Sequence, residues 1–143
     1  MTVPMNDLVR GFNSYREELQ AALLRVAQSG WYVHGPEHEA FQEEFADFVG
    51  VGYCVGVASG TDALELAIRA VGGGRAGRVL TAANAGGYTT NAARRAGREA
   101  SYADADPGHL CLTARSAEPR RAGVALCVVP HLHGRLAPSR PPR

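Results

Sequence analysis

Apolar and polar positions follow two distinct periods along this chain. From Ser14 onward Tyr15, Leu19, Ala22, Leu23 and Val26 fall on one face of a 3.6-residue helix, with Arg16, Glu17, Glu18, Gln20 and Arg25 turned outward. Gly30 stops that helix, and Pro36 suits the first position of the next one. There Glu37 and Glu39 occupy the first turn, where the helix dipole favours anions, and Phe41, Phe45 and Phe48 recur at i, i+4 and i+7. That spacing predicts a phenylalanine stripe facing a core. Residues 1–13, with Pro4 and Gly11, read as a lead-in without helix.

Beyond the turn at Val51-Gly52 the pattern changes. The apolar run Tyr53 to Val57 predicts a first strand, Ala58-Ser59-Gly60 a tight turn, and Leu64, Ala67, Ile68 and Val71 a helix running from Thr61 to a flexible connection at Gly72-Gly73-Gly74. Arg78 to Thr81 predicts a short strand, residues 82–91 a turn of small and polar residues leading into a helix through Arg95, and Glu99 to Ala103 a further strand. Thr113 to Arg121 reads as a short exposed helix interrupted by Pro119. Gly123 to Val129 is continuously apolar, the mark of a central parallel strand buried on both faces. Alternating strands and helices predict an α/β layer architecture with a largely parallel sheet, in which ligands sit beyond the strands' carboxyl ends.

The turn at Ser59 to Asp62 lies at such an end. The first N–H groups of a helix have no partners within it, so a phosphate placed there meets backbone donors and the positive end of the dipole. Gly60 permits close approach of the backbone, and Thr61 can cap the helix and offer a hydroxyl. The same four residues equally suit a plain helix start that binds nothing. Asp104 and Asp106 invite a metal or acid–base reading, but Asp-Pro-Gly is turn chemistry.

Composition narrows the classes. With 45% hydrophobic and 20% charged residues over 143 positions, the chain is of ordinary globular make-up and long enough for a single core. A net charge of +1 argues for neither nucleic acid nor a membrane surface. No apolar run approaches the length of a bilayer span and the N-terminus lacks the pattern of a signal peptide, so the expected location is the cytoplasm. Cys54, Cys111 and Cys127 are odd in number, widely spaced and set among apolar residues, which predicts small core side chains. His131 and His133 have no neighbouring cysteine or carboxylate, so no metal site is assigned. All 15 basic residues are arginine; the chain contains no lysine.

Several blocks, in order, resemble the N-terminal part of the pyridoxal-phosphate-dependent sugar aminotransferases of the DegT/DnrJ/StrS type: Ser29-Gly30-Trp31-Tyr32-Val33-His34-Gly35-Pro36-Glu37, Val55 to Leu64, Val79 to Ala85, Asp104-Ala105-Asp106-Pro107 and His131-Leu132-His133-Gly134. The resemblance implies a three-layer, largely parallel α/β fold, part of the large domain of a fold-type-I, aspartate aminotransferase-like enzyme, over residues 1–138. Residues 139–143 form a short tail rich in proline and arginine that departs from the family and reads as a truncated or out-of-frame end. It implies transfer of an amino group, usually from glutamate, to a nucleotide-linked keto-sugar with pyridoxal 5′-phosphate as cofactor. Ser59, Gly60, Thr61 and Asp62 would then bind the cofactor.

The family usually carries, in the turn after the second strand, an aromatic that stacks on the cofactor ring. The aligned position here is Gly86, and Tyr88 is nominated in its place, the other reading being a turn-capping tyrosine packed on the sheet edge. Trp31, Tyr32 and His34 are candidate substrate or subunit-interface contacts, or alternatively a structural loop. No catalytic residue is assigned, because the lysine that would hold the cofactor's aldehyde and the aspartate that would pair with its ring nitrogen both belong downstream. Partners implied are the nucleotide sugar, the amino donor and a second subunit in a homodimer. Other readings are a non-catalytic chain that associates with an intact aminotransferase, and a generic phosphate or nucleotide binder, for which the spaced-glycine dinucleotide pattern is missing.

Overall fold

The computed structural model describes residues 6–131, and the chain divides into two compact units with the boundary between Gly56 and Val57. The first unit holds three helices: α1 (Leu8–Ser14), α2 (Arg16–Ser29) and α3 (Pro36–Val49). The helix at α1 corrects the expectation of a helix-free lead-in. The Asp7 side chain accepts a hydrogen bond from the Arg10 N–H at 3.0 Å, and a cap of that kind, worth about 1 kcal/mol, offsets the roughly 1 kcal/mol cost of an interior glycine such as Gly11. Both longer helices end on glycines in the left-handed conformation, Gly30 at φ 67°, as the sequence predicts, and Gly50 at φ 76°.

No residue of α1 or α2 is buried, and only Ala46 of α3 is. The phenylalanine stripe exists, but it does not face a core. Phe48 is 86% exposed, Phe41 and Phe45 about half exposed; Phe41 stacks on Phe45 at a centroid distance of 5.5 Å, and Phe48 lies tilted to Phe45 at 6.2 Å. The strand expected at Tyr53 to Val57 does not form either. Tyr53 and Val55 stand in solvent, and no described strand runs beside them to complete a ladder. Gly56 instead donates its N–H to Gln42 Oε1 at 2.8 Å, and its missing side chain makes room for the His38 ring, which a Cβ would meet at 2.3 Å.

The second unit runs α4 (Gly60–Gly72), β1 (Arg78–Ala82), α5 (Tyr88–Arg95), β2 (Ala100–Ala103), α6 (Ala114–Ala117) continued by a 3₁₀ turn (Glu118–Arg120), and β3 (Val124–Cys127). All three strands are parallel, in the order β2-β1-β3. Alternation along β1 divides the core between two faces. Val79 packs with Ile68 of α4 and Ala92 and Ala93 of α5, whereas Leu80 and Ala82 pack with Ala103, Leu112 and Ala117 on the opposite side. The unit therefore has three layers.

The central strand is β1, whose residues Val79 to Ala82 are all buried. β3 is not the doubly buried strand expected: among the described residues it pairs on one side only, with Val124, Ala125 and Leu126 half-buried and Cys127 exposed. Of the three cysteines Cys111 alone is fully buried; Cys54 is half-buried. Arg98 ties down the connection that follows α4. Arg98 donates from Nη1 to the carbonyls of Arg75 (2.6 Å) and Gly77 (3.2 Å), and its guanidinium lies so close to Gly72 that a Cβ there would meet it at 2.6 Å. His133 and the tail at 139–143 lie outside the described residues.

Candidate functional site

α4 leads through residues 73–77 into the start of β1, so its own first turn lies at the carboxyl end of the sheet; α5 begins just after β1 ends there. The first turn of α4 gathers Ser59, Gly60, Thr61 and Asp62. Ser59, rather than Thr61, is the cap: its hydroxyl accepts from the Asp62 N–H at 3.2 Å and donates to Asp62 Oδ2 at 2.6 Å, while its carbonyl accepts from Ala63. An N-cap must be extended, and Ser59 sits at φ −154°, ψ 160°. The N–H groups of Gly60 and Thr61 have no acceptor among the described residues.

Gly60 is informative by what does not require it. Its φ is not left-handed, and a Cβ there would meet nothing within 4 Å. Neither conformation nor packing within the chain calls for glycine, and Gly60 is exposed.

Asp62 carries the local charge. Besides the Ser59 hydroxyl it receives Arg95 Nη2 at 2.7 Å, and Arg95 Nε reaches Glu65 Oε2 at 2.7 Å. Glu65 Oε1 in turn accepts from Arg69 at 2.9 and 3.0 Å. The hydrogen bond from Ser59, then that from Arg95, holds the Asp62 carboxyl below its ordinary 3.8. A depressed folded value means a stabilising contribution that is complete above the ordinary value and lost as pH falls through the folded one. Urea midpoints of wild type and Asp62→Asn should accordingly separate at pH 7 and converge once the pH is taken well below 3.8; a gap that persists in acid would show that Asp62 acts by shape rather than charge.

Tyr88 opens α5 and is mostly exposed. Its ring covers Gly86, where a Cβ would come within 3.2 Å of ring carbon Cε2 and where φ is +64°. The glycine at position 86 is thus what allows the neighbouring tyrosine to lie over the turn. Asp106 accepts from the N–H groups of His109 and Gly108 at 3.0 and 2.9 Å, which lower its pKa, as turn chemistry requires. No group of three or more His, Cys, Asp or Glu side chains able to hold a metal gathers among the described residues, and no described helix is long and apolar enough to cross a membrane.

In the first unit Trp31, Tyr32 and His34 do come together, lining a cavity of about 300 Å³ with Arg25, Glu37 and His38. Trp31 Nε1 donates to the Val33 carbonyl at 2.8 Å, His34 has φ +50°, and the His34 and His38 rings meet edge to face at 4.9 Å. Arg25 and Glu37, 2.6 Å apart, close one wall. Arg95, Glu65 and His38 escaped the sequence reading: the Asp62–Arg95 pair spans 33 positions, and no local pattern announces it.

The DegT/DnrJ/EryC1/StrS aminotransferase family matches residues 13–137. The chain is 46% identical over 80 residues to the erythromycin biosynthesis sensory transduction protein EryC1 of Saccharopolyspora erythraea, covering 56% of this chain and 22% of that one. It is 43% identical over 82 residues to dTDP-3-amino-3,6-dideoxy-alpha-D-galactopyranose transaminase of Aneurinibacillus thermoaerophilus, covering 57% of this chain and 23% of that one. The structure of DesV from S. venezuelae in complex with a ketimine intermediate superposes with a TM-score of 0.84 at 32% identity, over 94% of this chain and 37% of DesV. An aminotransferase from Brucella abortus, 23% identical, shares the fold with a TM-score of 0.81 over 96% of this chain and 39% of that one. The chain thus spans about a quarter of the length of these curated relatives. On the family match and the shared parallel-sheet fold, it belongs to the DegT/DnrJ/EryC1/StrS aminotransferase family.

Proposed function

We propose that this chain supplies the phosphate-binding part of a pyridoxal-phosphate site for amino transfer between an amino acid, glutamate by the family's habit, and a nucleotide-linked keto-sugar. The observation that carries the reading is the first turn of α4: two N–H groups without acceptors among the described residues, and an exposed glycine that nothing there requires. A phosphate monoester fits that donor set. When bound, pyridoxal phosphate supplies an electron sink for the amino group's α-carbon. Gly60 and Thr61 would bind its phosphate through main-chain N–H, and Ser59, its hydroxyl already oriented by Asp62, would border it. Tyr88, at the start of the neighbouring helix, would offer a ring face to the pyridine. Trp31, Tyr32 and His34 form a separate cavity of aromatic and imidazole groups suited to a sugar nucleotide or a second subunit.

None of these side chains is an amine. An arginine cannot take the role of a Schiff-base lysine, since its guanidinium stays protonated near neutrality and is a poor nucleophile. The nucleophile therefore has to come from a segment outside these 143 residues. One observation favours a second reading, a non-catalytic chain that pairs with an intact aminotransferase: α1, α2 and α3 leave their apolar faces exposed, as a surface that is covered in an assembly would be.

Gly60→Ala tests the seat. Replacing a helix glycine that has no left-handed φ and no neighbour should raise stability by about 0.5 kcal/mol, while the added methyl obstructs approach to the N–H groups. The expected result is a higher urea midpoint together with weaker binding of pyridoxine 5′-phosphate, read by equilibrium dialysis against unphosphorylated pyridoxine. Higher stability with unchanged binding would mean that the turn is only a helix start.

A further inference from the structure

We propose that Arg95 is a positioning and charge-compensating residue of the phosphate seat, acting through Asp62 from the last turn of the neighbouring helix. The inference rests on reading the start of α4 as that seat. An anion received by the Gly60 and Thr61 N–H groups must share the turn with the Asp62 carboxylate, and Glu65 adds a second negative charge one turn further on. Left alone, the two carboxylates would cancel the attraction of the helix dipole. Arg95 prevents this by bonding both, at 2.7 Å each, and Arg69 completes the balance at Glu65. The four charges sum to zero.

The same contacts fix geometry. With one Asp62 oxygen taken by Arg95, the other is directed at the Ser59 hydroxyl at 2.6 Å. Arg69 also donates to the Arg95 carbonyl, tying the end of α5 to α4. The seat is thereby held by an arginine that does not itself belong to it.

The test uses the 143-residue chain and pyridoxine 5′-phosphate, which lacks an aldehyde and cannot react with amines. Arg95→Gln should weaken binding about tenfold, the effect of one uncompensated, partly screened carboxylate beside the ligand. Arg95→Lys, keeping the charge, should stay within about threefold of wild type. Arg95→Gln combined with Asp62→Asn should recover most of the loss, because the offending charge has gone. Should Arg95→Gln alone fail to fold, the double variant carries the test, and a tenfold loss there overturns the proposal.

A scaffold role predicts the reverse, with the double variant no better than the single. Equal affinity of wild type and Arg95→Gln overturns the role of Arg95 and leaves the seat standing. Wild type that binds the phosphorylated and unphosphorylated compounds alike overturns the seat itself, and the proposal with it.

Discussion

Incubated with pyridoxal phosphate, an amino-acid donor and a nucleotide-linked keto-sugar, the 143-residue chain by itself is expected to form no amino-sugar. The deficit should be at least about 10⁴-fold against an aminotransferase that carries the lysine, since both the covalent anchor and the group that moves the proton are missing. Every one of the 15 basic residues is an arginine. Chromatographic assay of the sugar product checks the activity directly. Borohydride reduction followed by peptide mass mapping checks the cause: a pyridoxyl label is expected on the N-terminal amine alone. Turnover, or a label on an interior peptide, would mean that another nucleophile serves.

Leu80→Ala is expected to remove a large share of the stability of the second unit. Leu80 is 2% exposed and packs against Ala82, Ala103 and Leu112. Two of those neighbours are alanines, too short to move into the space a leucine leaves. A loss of about 3 kcal/mol follows for a leucine truncated in a core that collapses poorly, against a total of roughly 5–15 kcal/mol for a domain. Phe48→Ala supplies the contrast. Read from sequence as core, Phe48 would cost as much or more, but at 86% exposure its loss should stay within about 0.5 kcal/mol. Urea unfolding followed by circular dichroism separates the two, and a large effect at Phe48 with a small one at Leu80 would place the core elsewhere.

That pair also marks the limit of what the sequence reveals. α4, β1, α5 and β2 were legible because each is specified locally, as Leu64 and Ile68 show by their period, although the cap of α4 proved to be Ser59 and not Thr61. The phenylalanine spacing in α3 records only that the helix has an apolar face, not what lies against it. The apolar run at Tyr53 has the capacity to be a strand, but strand formation requires a neighbour's main chain, and none is described beside it. β3 has the composition of an inner strand and, among the described residues, takes an outer position for the same reason. Of the candidate site, Ser59 to Asp62 could be read directly, because helix-start chemistry is local. Arg95 could not, since it reaches Asp62 only after β1 and the packing of α5 on α4 have formed.

Two arginines brace α4, and they differ in what they hold. Arg95 grips the beginning of the helix through carboxylates, which acid neutralises; Arg98 grips the region beyond its end through the peptide oxygens of Arg75 and Gly77, which have no proton to gain. Acidification should therefore fray α4 from one end only. Its opening turn would loosen while its exit stayed anchored to the sheet.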